Sequence, residues 1–329
     1  MHVVVFSSKP HDRVFLGAAN AGCHELVFQE ARLLPESAAL AAGTEAVCLF
    51  VHDHADAAIM AVLAKLGVRH IALRCAGFNN VDLAAAAKHG ITVARVPAYS
   101  PHGVAEHAVA LFLTLNRRVH RAYNRVRDGN FSLDGLLGFD VHGKTVGIVG
   151  TGKIGVCFAQ IMRGFGCRLL AFDVTRNPAA ESLGVEYTSL ERLFAESHVI
   201  SLHCPLTPQT QHLIDAAALE RMRDGVVIIN TGRGPLIDTG AVIAALKSGK
   251  LGSLALDVYE EEEGVFYEDH SSVFLADDQL ARLLTFPNVL VTSHQAFFTR
   301  EAITAIAETT IGNLDDFAAG RPCPNALQA

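Results

Sequence analysis

Arg233, the acidic stretch "LDVYEEEEG" with Asp257 and Glu260 to Glu263, and His294 are three kinds of side chain that together could reduce a ketone. A ketone oxygen gains a proton as hydride arrives at its carbon, so an imidazole that titrates near neutral pH suits the task. A carboxylate beside it stabilises the charged ring and orients it. A guanidinium offers a planar fork that matches the carboxylate of an α-keto acid. Each residue also has a plainer reading. The chain has 16 histidines, and His203, just after an apolar run, is a rival acid. The glutamates could be a solvated turn, and Arg233 a surface charge. What favours chemistry is position: "NTGRGPLID", "LDVYEEEEG" and "TSHQAFFT" follow three successive apolar runs.

A second signal lies upstream, in "TVGIVGTGKIGVCFAQIMRGFGCRLLAFD", residues 145–173. Gly150, Gly152 and Gly155 form G-x-G-x-x-G between an apolar run and a helical pattern. In such a loop the first glycine permits a tight turn, the second admits a pyrophosphate to the backbone, and the third brings helix and strand close. Free N–H groups and the helix dipole then hold the anion. Asp173 closes the next apolar run, where an acidic side chain bonds adenosine ribose hydroxyls and repels a 2′-phosphate. NAD is therefore the expected cofactor, although Arg176, three residues on, could meet a phosphate.

These residues need a scaffold that gathers them on one edge. Apolar runs at 2–7, 46–51, 70–74 and 91–95 read as strands, with helices near 11–21, 36–42, 57–66 and 82–89 between them. A strongly apolar helix follows from Val104 to about Arg118, and then the loop-like "DGNFSLDGLLGFDVHGK". Strands resume at 144–149, 168–173, 198–202, 226–230, 251–256 and 288–292, and a last helix spans 300–318. Strand and helix alternating at this spacing specify an α/β protein with doubly wound parallel sheets, whose ligands sit at the carboxyl ends of the strands.

Composition narrows the partners. A chain of 329 residues, half of them hydrophobic, predicts two domains with well-buried cores. A net charge of −7 without a long basic run argues against nucleic acid, and no apolar stretch has the roughly 18 residues of a membrane span. "MHVVVFSSKP" reads as a first strand and not as a signal peptide. Seven cysteines without a CxxC read as thiols in a reducing cytoplasm, and no metal site is expected.

"GIVGTGKIG…AFD", "SLHCPLTPQT", "VIINTGRGPLIDT", "ALDVYEEE" and "VTSHQAFFT", with "GFNNVDL" and "VPAYSPHGVAEHAV" upstream, resemble the D-isomer-specific 2-hydroxyacid dehydrogenases over nearly the whole chain. Tyr99 in "VPAYSP" and the long insert "GVFYEDHSSVFLADDQLARL" resemble the bacterial NAD-dependent D-lactate dehydrogenases within that family. The resemblance implies a Rossmann cofactor domain, 100–296, inserted in a flavodoxin-like substrate domain, 1–99 plus 297–329, with the nicotinamide in the cleft between them. It implies that His294 donates and accepts the proton, that Glu262 pairs with it, and that Arg233 binds the substrate carboxylate. Backbone N–H groups near Ala76 and Gly77 hold the same carboxylate, and Tyr99 and Phe297 wall the pocket. The resemblance implies further that Lys153, Ile154, Asp173, Cys204, Pro205, Thr210, Thr231 and Asp257 line the dinucleotide. Phe78 stands where a small aliphatic residue is expected. The resemblance implies that the helix 101–118 contributes to a dimer interface, where a buried interdomain helix would read the same, and so a homodimer or dimer-based oligomer. The implied reaction is reversible reduction of pyruvate to D-lactate. The other readings are a dehydrogenase for a bulkier 2-keto acid and a dinucleotide-sensing regulator on the same fold.

Overall fold

Apolar runs of three to six residues form most of the strands, and the central ones are buried from end to end because helices cover both faces of their sheet. The computed structural model describes residues 1–328. The chain divides into two compact units, Met1–Ser100 with the chain from Phe298 onward, and Pro101–Phe297.

The first unit opens with β1 (His2–Val5), α1 (Pro10–Asn20), β2 (Glu25–Phe28), β3 (Ala46–Leu49), α2 (Ala57–Leu66), β4 (His70–Leu73), α3 (Leu83–Lys88) and β5 (Thr92–Ala94). Its five strands are parallel in the order β2-β1-β3-β4-β5. Aspartates cap α2 and α3, Asp56 accepting from Ile59 N–H and Asp82 from Ala85 N–H, caps worth about 1 kcal/mol each. Two expectations need correction. The segment 36–42 is a single 3-10 turn, Ala38–Ala41, too short to close further α-helical bonds. The strand β2 is absent from the sequence reading: it is an edge strand, half-exposed, with an apolar run of three residues, Leu26 to Phe28.

The second unit continues with α4 (Pro101–Asn116), α5 (Val119–Arg127), β6 (Thr145–Val149), α6 (Lys153–Gly164), β7 (Arg168–Phe172), α7 (Pro178–Ser182), β8 (Glu186–Tyr187), α8 (Leu190–Glu196) and β9 (Val199–Leu202). It ends with α9 (Ala216–Arg221), β10 (Val226–Asn230), α10 (Thr239–Ser248), β11 (Leu251–Leu256), α11 (Asp278–Thr285) and β12 (Val289–Val291). The sheet has seven parallel strands in the order β12-β11-β10-β9-β6-β7-β8, one more than the apolar runs suggest, because β8 is a two-residue edge. The helix expected at 104–118 starts at Pro101, whose missing N–H costs nothing in a first turn. It stops at Asn116, and Arg118 turns left-handed before α5. Its apolar pattern is explained inside this unit: Ala105, Ala108, Leu111, Phe112 and Leu115 pack with Phe158 and Met162 of α6 and with the sheet.

The chain then returns to the first unit as α12 (Arg300–Ala318), capped by Thr299. Its Ile311, Leu314 and Phe317 join Val3, Val5 and Leu16 in the core on one face of the first sheet. Beyond it Leu327 N–H bonds Val93 O beside β5.

Candidate active site

The second sheet reverses direction beside β6. The chain runs outward to β7 and β8, then crosses to β9 on the other side of β6. Such a reversal leaves a crevice at the carboxyl ends, where ligands settle in this architecture. Gly150 leaves β6 with φ 95°, and a Cβ there would lie 2.6 Å from Cys204 N and 2.7 Å from His203 O. A Cβ on Gly155 would overlap the Gly150 carbonyl oxygen. Around Gly152, its chain neighbours and own helix aside, no atom of the described residues lies within 4 Å of that position. The outer glycines are thus demanded by the protein's own packing. The middle one faces open space at the N-terminus of α6, a cradle that fits a dinucleotide pyrophosphate.

Asp173 follows β7, and its carboxylate accepts from Thr151 N–H at 2.5 Å, Thr151 Oγ1 at 2.9 Å and Thr175 N–H at 3.2 Å. Burial alone would raise its pKa, but these bonds hold it below the usual carboxylate range. Thr151 is also gripped by Tyr187, whose hydroxyl lies 2.7 Å from Thr151 Oγ1, and by Asn177 Nδ2, 2.7 Å from Thr151 O. Arg176 lies over the Tyr187 ring, 5.6 Å from its centroid. Lys153 is exposed and Ile154 half-buried on the first turn of α6.

Beyond β9, His203 packs against Phe158 and lies 2.9 Å from Ser201 Oγ. Burial pushes its imidazole down to about 4, so it is neutral near pH 7 and unsuited to act as the acid. The Cys204 thiol is pushed up to about 11 by burial, which leaves it unreactive. Thr210 Oγ1 donates to Pro205 O at 2.7 Å and accepts from Thr207 N–H, closing the turn that carries Pro205. The Thr231 hydroxyl, after β10, is buried with no hydrogen-bond partner among the described residues. An orphaned hydroxyl there fits a bound polar ligand.

Arg233 sits two residues further on. Buried Asn230 staples its turn, donating from Nδ2 to Arg233 O at 2.8 Å and accepting from Gly232 N–H at 3.0 Å. Next along the sheet edge, β12 ends at a turn that carries His294 with φ 53°, a left-handed conformation costing about 1–3 kcal/mol in a non-glycine residue. Such a residue needs outside support, and His294 has it. Its N–H donates to Asp257 O at 2.6 Å, and its carbonyl accepts from Tyr267 OH at 2.8 Å. Its Nδ1 lies 2.9 Å from Glu262 Oε1. Nε2 is the ring nitrogen left for a substrate. Glu260, by contrast, is committed to His212 and Thr239.

Asp257, after β11, is fully buried. Its carboxylate accepts from Thr292 Oγ1 at 2.5 Å, Gln295 N–H at 2.9 Å and Ala296 N–H at 2.8 Å, with His107 Nε2 at 3.3 Å. Burial would raise its pKa, but these partners outweigh it and keep the group below its ordinary value. Asp257 therefore bolts the His294 turn to β11 from both sides.

In the first unit, Ala76 and Gly77 lie on the loop after β4. Arg95 Nη1 donates to Ala76 O at 2.8 Å, and its guanidinium covers the Phe78 ring at 5.1 Å. Phe78 packs against that unit's own core, which accounts for its size. Tyr99 is the last residue but one in the first segment of this unit, half-buried, and Phe297 ends the second unit, also half-buried.

Residues 109–296 match the family described as D-isomer specific 2-hydroxyacid dehydrogenase, NAD binding domain. The chain belongs to the D-isomer specific 2-hydroxyacid dehydrogenases. It is 54% identical over 328 residues to a D-lactate dehydrogenase of Escherichia coli (strain K12), covering 99% of this chain and 100% of the relative. The apo structure of D-lactate dehydrogenase from Escherichia coli superposes with a TM-score of 0.92 at 52% identity, over 99% of this chain and 100% of that one. The structure described as the pyruvate reductase of Chlamydomonas reinhardtii gives a TM-score of 0.94 at 46% identity, over 99% and 98% of the two chains.

In this dehydrogenase the cofactor is NAD. The open cradle at Gly152, the ionised Asp173 and the unpaired Thr231 hydroxyl fit it. Arg233, Glu262 and His294 stand at the carboxyl ends of three neighbouring strands, or on the turns that follow them. The residues that hold the site together were not singled out from the sequence: Thr151, Asn177 and Tyr187 around Asp173, Asn230 beneath Arg233, and His107, Tyr267 and Thr292 around His294. Asn230 alone carried a local hint, as a polar residue closing an otherwise apolar strand.

Proposed function

We propose that this chain reduces pyruvate to D-lactate with NADH, reversibly. The observation that carries the reading is His294, held by Glu262 at Nδ1 with Nε2 left over, on the same sheet edge as Arg233 and the Gly152 cradle. The full-length similarity to D-lactate dehydrogenase supports the choice of substrate. Arg233 pairs with the substrate carboxylate. His294 Nε2 gives its proton to the ketone oxygen, and Glu262 holds the ring at Nδ1. Bound NADH supplies the hydride to the keto carbon, which leaves the alcohol and NAD+. Asp173 selects NAD over its 2′-phosphorylated form by repulsion. Lys153, Ile154, Cys204, Pro205, Thr210, Thr231 and Asp257 complete the dinucleotide site. The unit Pro101–Phe297 serves as cofactor domain and the other as substrate domain.

Phe297 crowds the end of the substrate away from its carboxylate, so selectivity is graded, about 1–3 kcal/mol per misfitting methylene. The expected order of kcat/KM is pyruvate, 2-ketobutyrate, branched keto acids, phenylpyruvate. The deciding experiment follows NADH oxidation across that panel, with chiral analysis of the product. A preference for phenylpyruvate, or an L-product, defeats the assignment. His294→Ala should lower turnover about 10²–10⁴-fold while NADH still binds.

We also infer a cytoplasmic homodimer that binds no nucleic acid. The seven cysteines are free thiols, which supports a reducing compartment. Among the described residues no helix is long and apolar enough to cross a membrane. For the dimer, support comes from the segment after α4, where Tyr123, Phe131, Leu133 and Leu137 are exposed. Leu133→Asp with Leu137→Asp should yield monomers in sedimentation; an unchanged sedimentation coefficient would remove this surface from the interface.

A further inference from the structure

Two non-glycine residues near the sheet edge are left-handed, and they touch each other. His294 has φ 53° and Tyr267 has φ 69°. The Tyr267 hydroxyl donates to the His294 carbonyl at 2.8 Å, and the two rings stack with centroids 6.0 Å apart and planes 30° from parallel. Backbone in this region persists in bulky residues only where the surroundings over-determine it. Here the surroundings can be named. Glu262 O accepts from both Val265 N–H and Phe266 N–H, which winds residues 262–266 into a tight turn. Buried Phe266 anchors that turn in the core beside Tyr259. Glu262 Oε2 accepts from Tyr259 N–H, which fixes the carboxylate. The chain then bends left-handed at Tyr267, and its side chain meets His294.

One short turn thus meets His294 at three points: Glu262 at Nδ1, the Tyr267 hydroxyl at the carbonyl and the Tyr267 ring against the imidazole. Glu262 alone leaves the ring free to swing about its single bond. A stacked ring and a bond to the backbone remove that freedom and fix where Nε2 points. We propose that Tyr267, from the long insert after the glutamates, is a positioning residue for His294: it holds the imidazole in the orientation that proton transfer requires. The inference rests on His294 being the proton donor. A misplacement of about 1 Å in such a group can cost on the order of 100-fold in rate.

The test uses the full-length protein with NADH and pyruvate. Tyr267→Phe keeps the ring and removes the hydroxyl; Tyr267→Leu removes both. Tyr267→Phe should lower kcat by about 3–10-fold, the weight of one neutral hydrogen bond, and Tyr267→Leu by about 10–100-fold. NADH affinity should stay within about threefold in both, and the melting temperature of Tyr267→Phe within about 4 °C, the shift that 1 kcal/mol gives in a domain of this size. The decisive arm combines Tyr267→Leu with His294→Ala. A residue acting through His294 has nothing left to position, so the double variant should match His294→Ala alone within about twofold. A Tyr267→Leu effect of the same size in both backgrounds overturns the proposal, as does wild-type kcat in Tyr267→Leu. Near-normal turnover in His294→Ala by itself instead defeats the underlying assignment of the proton donor.

Discussion

Replacing each glycine of the Gly150–Gly155 loop by alanine should separate folding from binding. At Gly150 the new Cβ would lie 2.6 Å from Cys204 N, with φ at 95°. A left-handed backbone costs an L-residue roughly 1–2 kcal/mol and overpacking about 1–3 more, so about 2–5 kcal/mol is expected. At Gly155 the methyl overlaps the Gly150 carbonyl, and the loss should be similar. At Gly152 the backbone has φ −65°, which alanine adopts freely, and nothing lies within 4 Å. Alanine is the poorer N-cap, but it stiffens the unfolded chain by about 0.4–1 kcal/mol, so the net change should stay within about 1 kcal/mol. At about 2–4 °C per kcal/mol for a unit of this size, Gly152→Ala should melt within about 4 °C of wild type. Gly150→Ala should melt roughly 4–20 °C lower. Dinucleotide affinity should show the opposite ranking, because the Gly152 methyl fills the cradle: at least tenfold weaker NADH binding, about 1.4 kcal/mol. The chain has no tryptophan, so NADH emission can be titrated without an indole background. A Gly152→Ala protein that bound NADH as wild type does would refute the placement of the pyrophosphate. One that melted as early as Gly150→Ala would refute the packing analysis.

Asp257→Asn puts an NH2 group against donors from Thr292, Gln295 or Ala296, whichever way the amide turns. It should destabilise by about 2–4 kcal/mol in urea unfolding, with kcat and NADH affinity both falling; an unchanged NADH affinity would remove Asp257 from the dinucleotide site. Asp173→Ser should narrow the kcat/KM preference for NADH over NADPH, and an unchanged ratio would shift that selectivity to other residues. His203 has its pKa lowered from 6.5 to about 4, so the unfolded state binds the extra proton across that interval and stability must fall as pH drops from 6.5 to 4. The loss is about 3 kcal/mol. Unfolding free energies of wild type and His203→Gln between pH 4 and 7 should differ in slope, and equal slopes would count against a neutral His203.

The central strands were legible because burial on both faces leaves no choice of residue: β6 reads TVGIV and β10 VVIIN. The edge strands β2 and β8 were not, since half their surface faces water and their length gives no period. Glycines that a backbone geometry demands, and rare side chains placed after apolar runs, are visible locally, which is why Gly150, Asp173, Arg233 and His294 could be singled out. Most partners of those residues lie far away in sequence. Tyr267 reaches His294 across 27 residues, Thr292 reaches Asp257 across 35 and Tyr187 reaches Thr151 across 36. No spacing rule carries information over such intervals, because the fold must exist before the contact does.

The return of the chain to its first unit has a consequence for biosynthesis. Its core on one sheet face needs Ile311, Leu314 and Phe317 beside Val3, Val5 and Leu16. A ribosome must therefore make the whole intervening unit, about 200 residues, before the first hundred can bury that face. At roughly 5–20 residues per second the wait is on the order of 10–40 s. Through that time β1, β3 and β4 lack the cover of α12, and their apolar residues offer chaperones a binding surface. The inserted unit is continuous in sequence and can finish first. A nascent chain released before residue 300 should thus carry a folded cofactor unit tethered to an aggregation-prone N-terminal segment, so the cell's losses from incomplete synthesis fall on the end of the protein that was made first.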